Sequence, residues 1–235
     1  MSLSAEQLAA IDGELTNGNL IAAIREHRAF TGADLATAKQ FIDARHVELR
    51  VTKLTSFPQP IAPAQPDPVI MATITPVADR EIRSLRGVLK EVEKLLYGLN
   101  YQVTLSANAA SLPNDSLPVI ETMATLYPDS EPGNAETAAA SVANFKSDVT
   151  DFLTFEGDLS SGPQFTYQNR FKLNDQLIPD LWREIAQITP FEDSIIRSYN
   201  NDAGLPGYCV FWFFAYLIHS PSKGRCLVLT GMSSD

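Results

Sequence analysis

Tyr208-Cys-Val-Phe-Trp-Phe-Phe-Ala-Tyr-Leu-Ile218, then Pro221-Ser-Lys-Gly224, then Cys226-Leu-Val-Leu-Thr230, is the stretch whose reading decides the fold class. Aromatic and β-branched residues fill both arms and turn formers separate them, so the stretch reads as a β-hairpin. The first arm is apolar at both alternating positions, which predicts that both faces of its sheet are covered, by helices or by another chain. A turn centred on 221–224 sets Cys226 near His219 and leaves Cys209 beyond the paired part, so no bridge between the two cysteines is expected. Two cysteines are also too few for a disulfide framework, and their apolar settings suggest buried thiols in a reducing compartment.

Upstream of this hairpin the periodicity is mostly helical. Ile82, Leu85, Leu89, Val92 and Leu96 form one stripe that ends at Gly98, with Thr75-Pro76 reading as an N-cap and a first-turn proline. Helices are expected over 117–126 and over 134–155, where Ala138, Val142, Phe145, Val149, Phe152 and Leu153 share a face. A Gly-rich connection, 156–164, precedes a strand expected over 165–173, and helices are expected over 177–188 and 190–199. Prolines at 58, 60, 63, 66 and 68 exclude helix and central strand and favour an extended spacer. No internal repeat is evident. The expected fold is therefore α+β: a small N-terminal helical domain (1–54), a Pro-rich linker (55–78) and a larger, mostly helical domain (79–235) ending in the β-hairpin.

The N-terminal part has its own signature. Ser4 and Gln7 have the spacing of a capping box ahead of Leu8 and Ile11, which predicts a first helix. In Asn19-Leu-Ile-Ala-Ala-Ile-Arg-Glu-His-Arg-Ala-Phe-Thr-Gly-Ala-Asp-Leu-Ala-Thr-Ala-Lys-Gln-Phe-Ile-Asp43, Leu20, Ile21, Ile24 and His27 or Arg28 share a helical face. Gly32 supplies a helix stop, and Asp34 caps a second arm whose Leu35, Ala38, Phe41 and Ile42 face the first. Residues 17–45, through Ile24-Arg25, Arg28, Thr31-Gly32 and Leu35-Ala36-Thr37-Ala38-Lys39, resemble the helical hairpin in the C-terminal domain of the bacterial ribosomal stalk protein. That resemblance implies contacts to translational GTPases through Arg25, Arg28 and Lys39. Leu20, Asp34 and Thr37 stand where that family has Lys, Gly and Glu.

A net charge of −10 opposes non-specific nucleic-acid binding and favours a basic partner. The charge is uneven. Residues 129–158 hold Asp129, Glu131, Glu136, Asp148, Asp151, Glu156 and Asp158 against Lys146 alone, a balance of −6; residues 19–53 carry +2. The N-terminus lacks a basic n-region and a long apolar h-region, and the longest apolar run, 208–218, is too short to span a bilayer as a helix, so a cytoplasmic protein without membrane contact is expected.

Catalytic patterns are missing. Gly204-Leu-Pro-Gly207 has the wrong spacing for a phosphate loop, and no nucleophile elbow, Cys-x-x-Cys or His-Glu-x-x-His occurs. His219 reads as a solvated strand-end histidine, and Glu156 with Asp158 as a mobile acidic loop. No cofactor, metal or catalysis is expected. The expected role is a non-catalytic protein-binding protein, concretely a bacterial immunity or antitoxin protein covering a basic toxin through Asp129, Glu131, Asp148, Asp151, Glu156 and Asp158. The alternatives are a GTPase-binding translation module acting through Arg25, Arg28 and Lys39, and an enzyme with an unrecognised site.

Overall fold

Ser4 and Gln7 satisfy each other's backbone N–H groups, at 2.9 and 3.2 Å, and open α1 (Ala5–Thr16). The computed structural model describes residues 3–16, 19–54, 65–113, 115–157, 161–163 and 165–234. It divides into one unit of residues 1–61 with 157–161 and a second of 62–156 with 162–235.

In the first unit α2 (Leu20–Thr31) stops where Gly32 turns left-handed (φ 69°) and returns its N–H to the Arg28 carbonyl. Asp34 Oδ1 then accepts the Thr37 N–H at 2.7 Å and starts α3 (Leu35–Leu54). Ile11, Leu15, Ala23, Ile24, Leu35, Ala38 and Ile42 are buried. His27 stacks on Phe41 with centroids 4.3 Å apart, and Arg45 grips the Asp12 carboxylate through Nε and Nη2, at 2.8 and 2.6 Å, tying α3 to α1.

The second unit runs α4 (Pro68–Met71), β1 (Thr75–Pro76), α5 (Arg83–Leu96), β2 (Gly98–Leu99), β3 (Gln102–Ser111), α6 (Val119–Leu126), β4 (Thr137–Ala140) and α7 (Val142–Leu153). It continues with β5 (Gly162–Pro163), α8 (Tyr167–Lys172), a π-helical turn at Leu173–Leu177, α9 (Ile178–Ile188), β6 (Ile195–Tyr199), β7 (Trp212–Ser220) and β8 (Arg225–Ser234). Six strands form one antiparallel sheet in the order β1-β3-β8-β7-β6-β4, and β2 pairs with β5 separately. The expected hairpin is β7–β8, turning at Pro221–Lys223 and Gly224 (φ 57°), with His219 opposite Cys226.

That hairpin is the centre of the sheet, not a terminal addition to a mostly helical domain. Both its faces are buried. Trp212, Phe214, Tyr216 and Ile218 face α5, α7 and α9, where Phe152 contacts Trp212 and Phe214, and Phe145 meets Tyr216 and Trp182 edge-on. Gly231 makes room for Phe214, whose ring would lie 2.4 Å from an added Cβ. On the opposite face Ala215, Leu217, Val228 and Met232 pack with Met123 and Tyr127 at α6 and with Tyr199 and Leu205, while Cys226 and Ala110 pack with Ile74 and Leu112.

Several expected elements differ. The helix expected from 134 is β4 and then α7, because Ser141 accepts the Asn144 N–H and restarts the chain as a helix. Residues 165–173 are helical, not a strand: Thr166 caps α8 through the Asn169 N–H. Residues 190–199 end in the strand β6, not a helix, pairing with both β7 and β4. Thr75-Pro76 is the edge strand β1 against Ser111 and Ala110, not a helix start. Of the spacer expected over 55–78, residues 55–64 lie outside the described residues and Pro68–Met71 is a helical turn capped by Asp67. The ten-residue β3 is an element the periodicity did not announce.

Candidate functional site

The two edges of the six-stranded sheet are treated differently by the chain. Along β3, β1 covers the end, Val77 N–H reaches the Ala109 carbonyl at 2.9 Å, Arg86 Nε reaches the Ala107 carbonyl at 3.1 Å, and Glu93 Oε1 accepts the Leu105 N–H at 2.6 Å. Several outward peptide groups of that edge are thus occupied by α5 side chains and a neighbouring segment, which is one way proteins hinder strand addition. Among the described residues nothing comparable guards β4. Its residues Thr137, Ala138 and Ala139 are exposed.

The register of β4 follows from its bonds. Asn200 N–H donates to the Glu136 carbonyl at 3.2 Å, and Ala138 lies opposite Ser198, so Glu136, Ala138 and Ala140 point their peptide groups at β6. Thr137 and Ala139 therefore turn N–H and C=O outward, and no hydrogen bond among the described residues engages them.

The turn leading into this edge is laced to the loop after β6. Glu131 N–H donates to the Ala203 carbonyl (3.3 Å), Asn201 Nδ2 to the Glu131 carbonyl (2.9 Å) and Glu136 N–H to Asn200 Oδ1 (2.6 Å). Gly204 (φ 73°) lies so close that an added Cβ would sit 1.7 Å from the Asp129 carbonyl oxygen, a place only glycine can take. This corner carries the exposed carboxylates of Asp129, Glu131 and Asp202 with Glu136, whose Oε2 accepts Asn200 Nδ2. No ion pair involves any of the four among the described residues. Beneath it, burial and the Glu131 charge push the Tyr199 phenol up to about 12, and its hydroxyl has no hydrogen-bond partner among the described residues.

The acidic residues read from the sequence are split by this architecture. Asp129 and Glu131 lie on the α6 side of the sheet. Asp148 lies on the α7 side, where it accepts the Tyr216 hydroxyl at 2.6 Å, and burial, with the Asp148 carboxylate second, holds the Tyr216 phenol well above its ordinary value. Asp151 is exposed on α7, Glu156 pairs with Arg170, and Asp158 lies outside the described residues. Among the basic residues Arg25 is exposed, Arg28 Nη1 donates to the Gly157 carbonyl at 3.4 Å, and Lys39 is held by Asp43 at 2.7 Å. Asp202 and the open β4 edge were missed in the sequence; the pairing of 136–140 with 196–200 is what brings them to one corner.

His219 is fully buried rather than solvated. Its Nε2 lies 3.2 Å from the Leu112 carbonyl, Nδ1 has no partner among the described residues, and burial holds its pKa below the ordinary value. Cys226, opposite it, is a free thiol pushed far up by burial. Among the described residues no group of three or more His, Cys, Asp or Glu is placed to hold a metal, and no helix is long and apolar enough to cross a membrane.

No family model and no curated protein matches the chain. Two crystal forms of citrus MAF1 overlap 63% of it and 98% and 99% of their own chains, at 11% and 14% identity and a TM-score of 0.43 each. At that TM-score the overlap does not establish a shared fold.

Proposed function

We propose that this is a non-catalytic protein-binding protein of the immunity or antitoxin kind, holding a basic partner at the acidic corner beside β4. The observation that carries the reading is the set Asp129, Glu131, Glu136 and Asp202, without an ion pair among the described residues, on hydrogen-bonded turns beside the β4 edge of the six-stranded sheet. A carboxylate cluster on a backbone-pinned turn is organised before the partner arrives, which raises the association rate with a cationic surface and fixes its orientation.

Affinity capture from a bacterial lysate tests it. The full chain is expected to retain a basic protein at low salt, to release it as salt rises, and to lose it when Asp129→Lys and Glu131→Lys are introduced together. Co-expression with the captured protein should then relieve that protein's toxicity. Capture of translation factors alone, unaffected by these substitutions but abolished by Arg25→Glu, would instead support the GTPase-binding alternative.

A further inference from the structure

We propose that the β4 edge takes an extended, basic segment of the partner as a seventh strand of the sheet. This rests on the partner-binding reading above and adds how the partner is held.

The geometry supplies three arguments. Thr137 and Ala139 offer two outward N–H and two outward C=O groups, a set that one antiparallel strand satisfies with up to four ladder bonds. The side chains are small on both faces: Ala138 and Ala140 project toward the α7 side, Thr137 and Ala139 toward the other. An added strand can therefore carry bulky residues over either face, where cross-strand contacts form. The opposite edge shows that this chain blocks strand addition where it is unwanted, with Glu93, Arg86 and β1 occupying β3.

Charge decides the occupant. A second copy pairing β4 with β4 would bring Asp129, Glu131, Glu136 and Asp202 of both copies to one junction, in a chain of net charge −10. The same carboxylates attract lysine or arginine flanking a strand. The occupant is accordingly a cationic β-segment of another protein.

Fluorescence anisotropy with the full chain tests this with three labelled peptides: basic Lys-Val-Thr-Val-Lys-Val-Thr-Lys, an analogue of equal charge with proline in place of each valine, and the first peptide with glutamate in place of lysine. The basic valine peptide is expected to bind, the proline peptide roughly tenfold or more weakly, since each lost ladder bond counts, and the acidic peptide not at all. Ala139→Pro, which removes one outward N–H while leaving the bonds to β6, is expected to weaken the valine peptide about tenfold at unchanged melting temperature. Should that variant misfold, the two basic peptides on the native chain still decide. Equal binding of the two basic peptides overturns the strand addition and leaves the partner reading standing. So does failure of the valine peptide to bind a chain that still captures a basic protein through Asp129 and Glu131. Capture failing as well removes both.

Discussion

Gly204→Ala tests whether the acidic corner is built as described. Gly204 sits at φ +73°, and an added Cβ would lie 1.7 Å from the Asp129 carbonyl oxygen, 2.3 Å from its carbon and 2.8 Å from Ser130 Cα. Because Cβ contacts begin near 3.0 Å, the two backbone segments must separate by 1.3 Å, and neither can give way as a flexible side chain would. A shift of that size breaks the 3.3 Å bond from Glu131 N–H to Ala203 and strains the 2.9 Å bond from Asn201 to Glu131. The left-handed conformation costs about 1–2 kcal/mol for alanine, and two hydrogen bonds add about 0.5–1.5 kcal/mol each, so the loss is about 2–5 kcal/mol. For a unit of this size that lowers the melting temperature by roughly 5–15 °C by circular dichroism. Gly87→Ala is the control: it lies within α5 with nothing within 4 Å of an added Cβ, and should stabilise by about 0.5–1 kcal/mol. Equal melting temperatures for the two variants, with partner capture intact in Gly204→Ala, would refute the reasoning.

Other expectations follow from the core and the guarded edge. Phe145→Ala should cost about 3–5 kcal/mol in urea unfolding, since Phe145 is fully buried between Trp182 and Tyr216; a loss under about 1 kcal/mol would contradict that packing. His219 and His27 both have pKa values held below 6.5 by burial, so the unfolded chain takes up protons first as the pH falls. Stability is then complete above pH 6.5 and declines as the pH drops from 6.5 toward the folded-state values. His219→Gln should flatten urea midpoints between pH 7.5 and 5.5, and an unaltered slope would count against a neutral buried imidazole. Glu93→Ala frees the Leu105 N–H on the β3 edge and should raise light scattering at high protein concentration; scattering equal to the native chain would mean the edge is guarded by something else.

The sequence made the strongest local signals legible. The Ser4–Gln7 box, Gly32, Asp34 and the α5 stripe act within a few residues, and the structure uses each as read, apart from the segment before α5. The β7–β8 hairpin was equally plain, because aromatic residues buried on both faces leave little helical alternative. What failed depends on distant partners. Ala138–Ala140 favour helix by themselves, yet become strand because β6 offers its edge, and Ser141 restarts the helix one residue later. β3, with Val103, Leu105, Ala107 and Ala109 inward, has apolar residues too small to announce a strand. Its place is set by ten pairings to β8. The acidic stretch was legible as composition but not as a surface: the sheet separates Asp129 and Glu131 from Asp148, and long-range pairing adds Asp202, more than sixty residues away in sequence. His219, at a strand end in the sequence, is nevertheless fully buried, with Nε2 against the Leu112 carbonyl, a contact set by a segment more than a hundred residues upstream.

Amide hydrogen exchange of Thr137 and Ala139, followed with and without a saturating basic partner, tests the central claim most directly. Both amides point outward without a hydrogen bond among the described residues and are predicted to exchange at least tenfold more slowly in the complex, while Ala138, already bonded toward β6, changes little. Unchanged exchange at Thr137 and Ala139 in a complex that demonstrably forms would contradict the account.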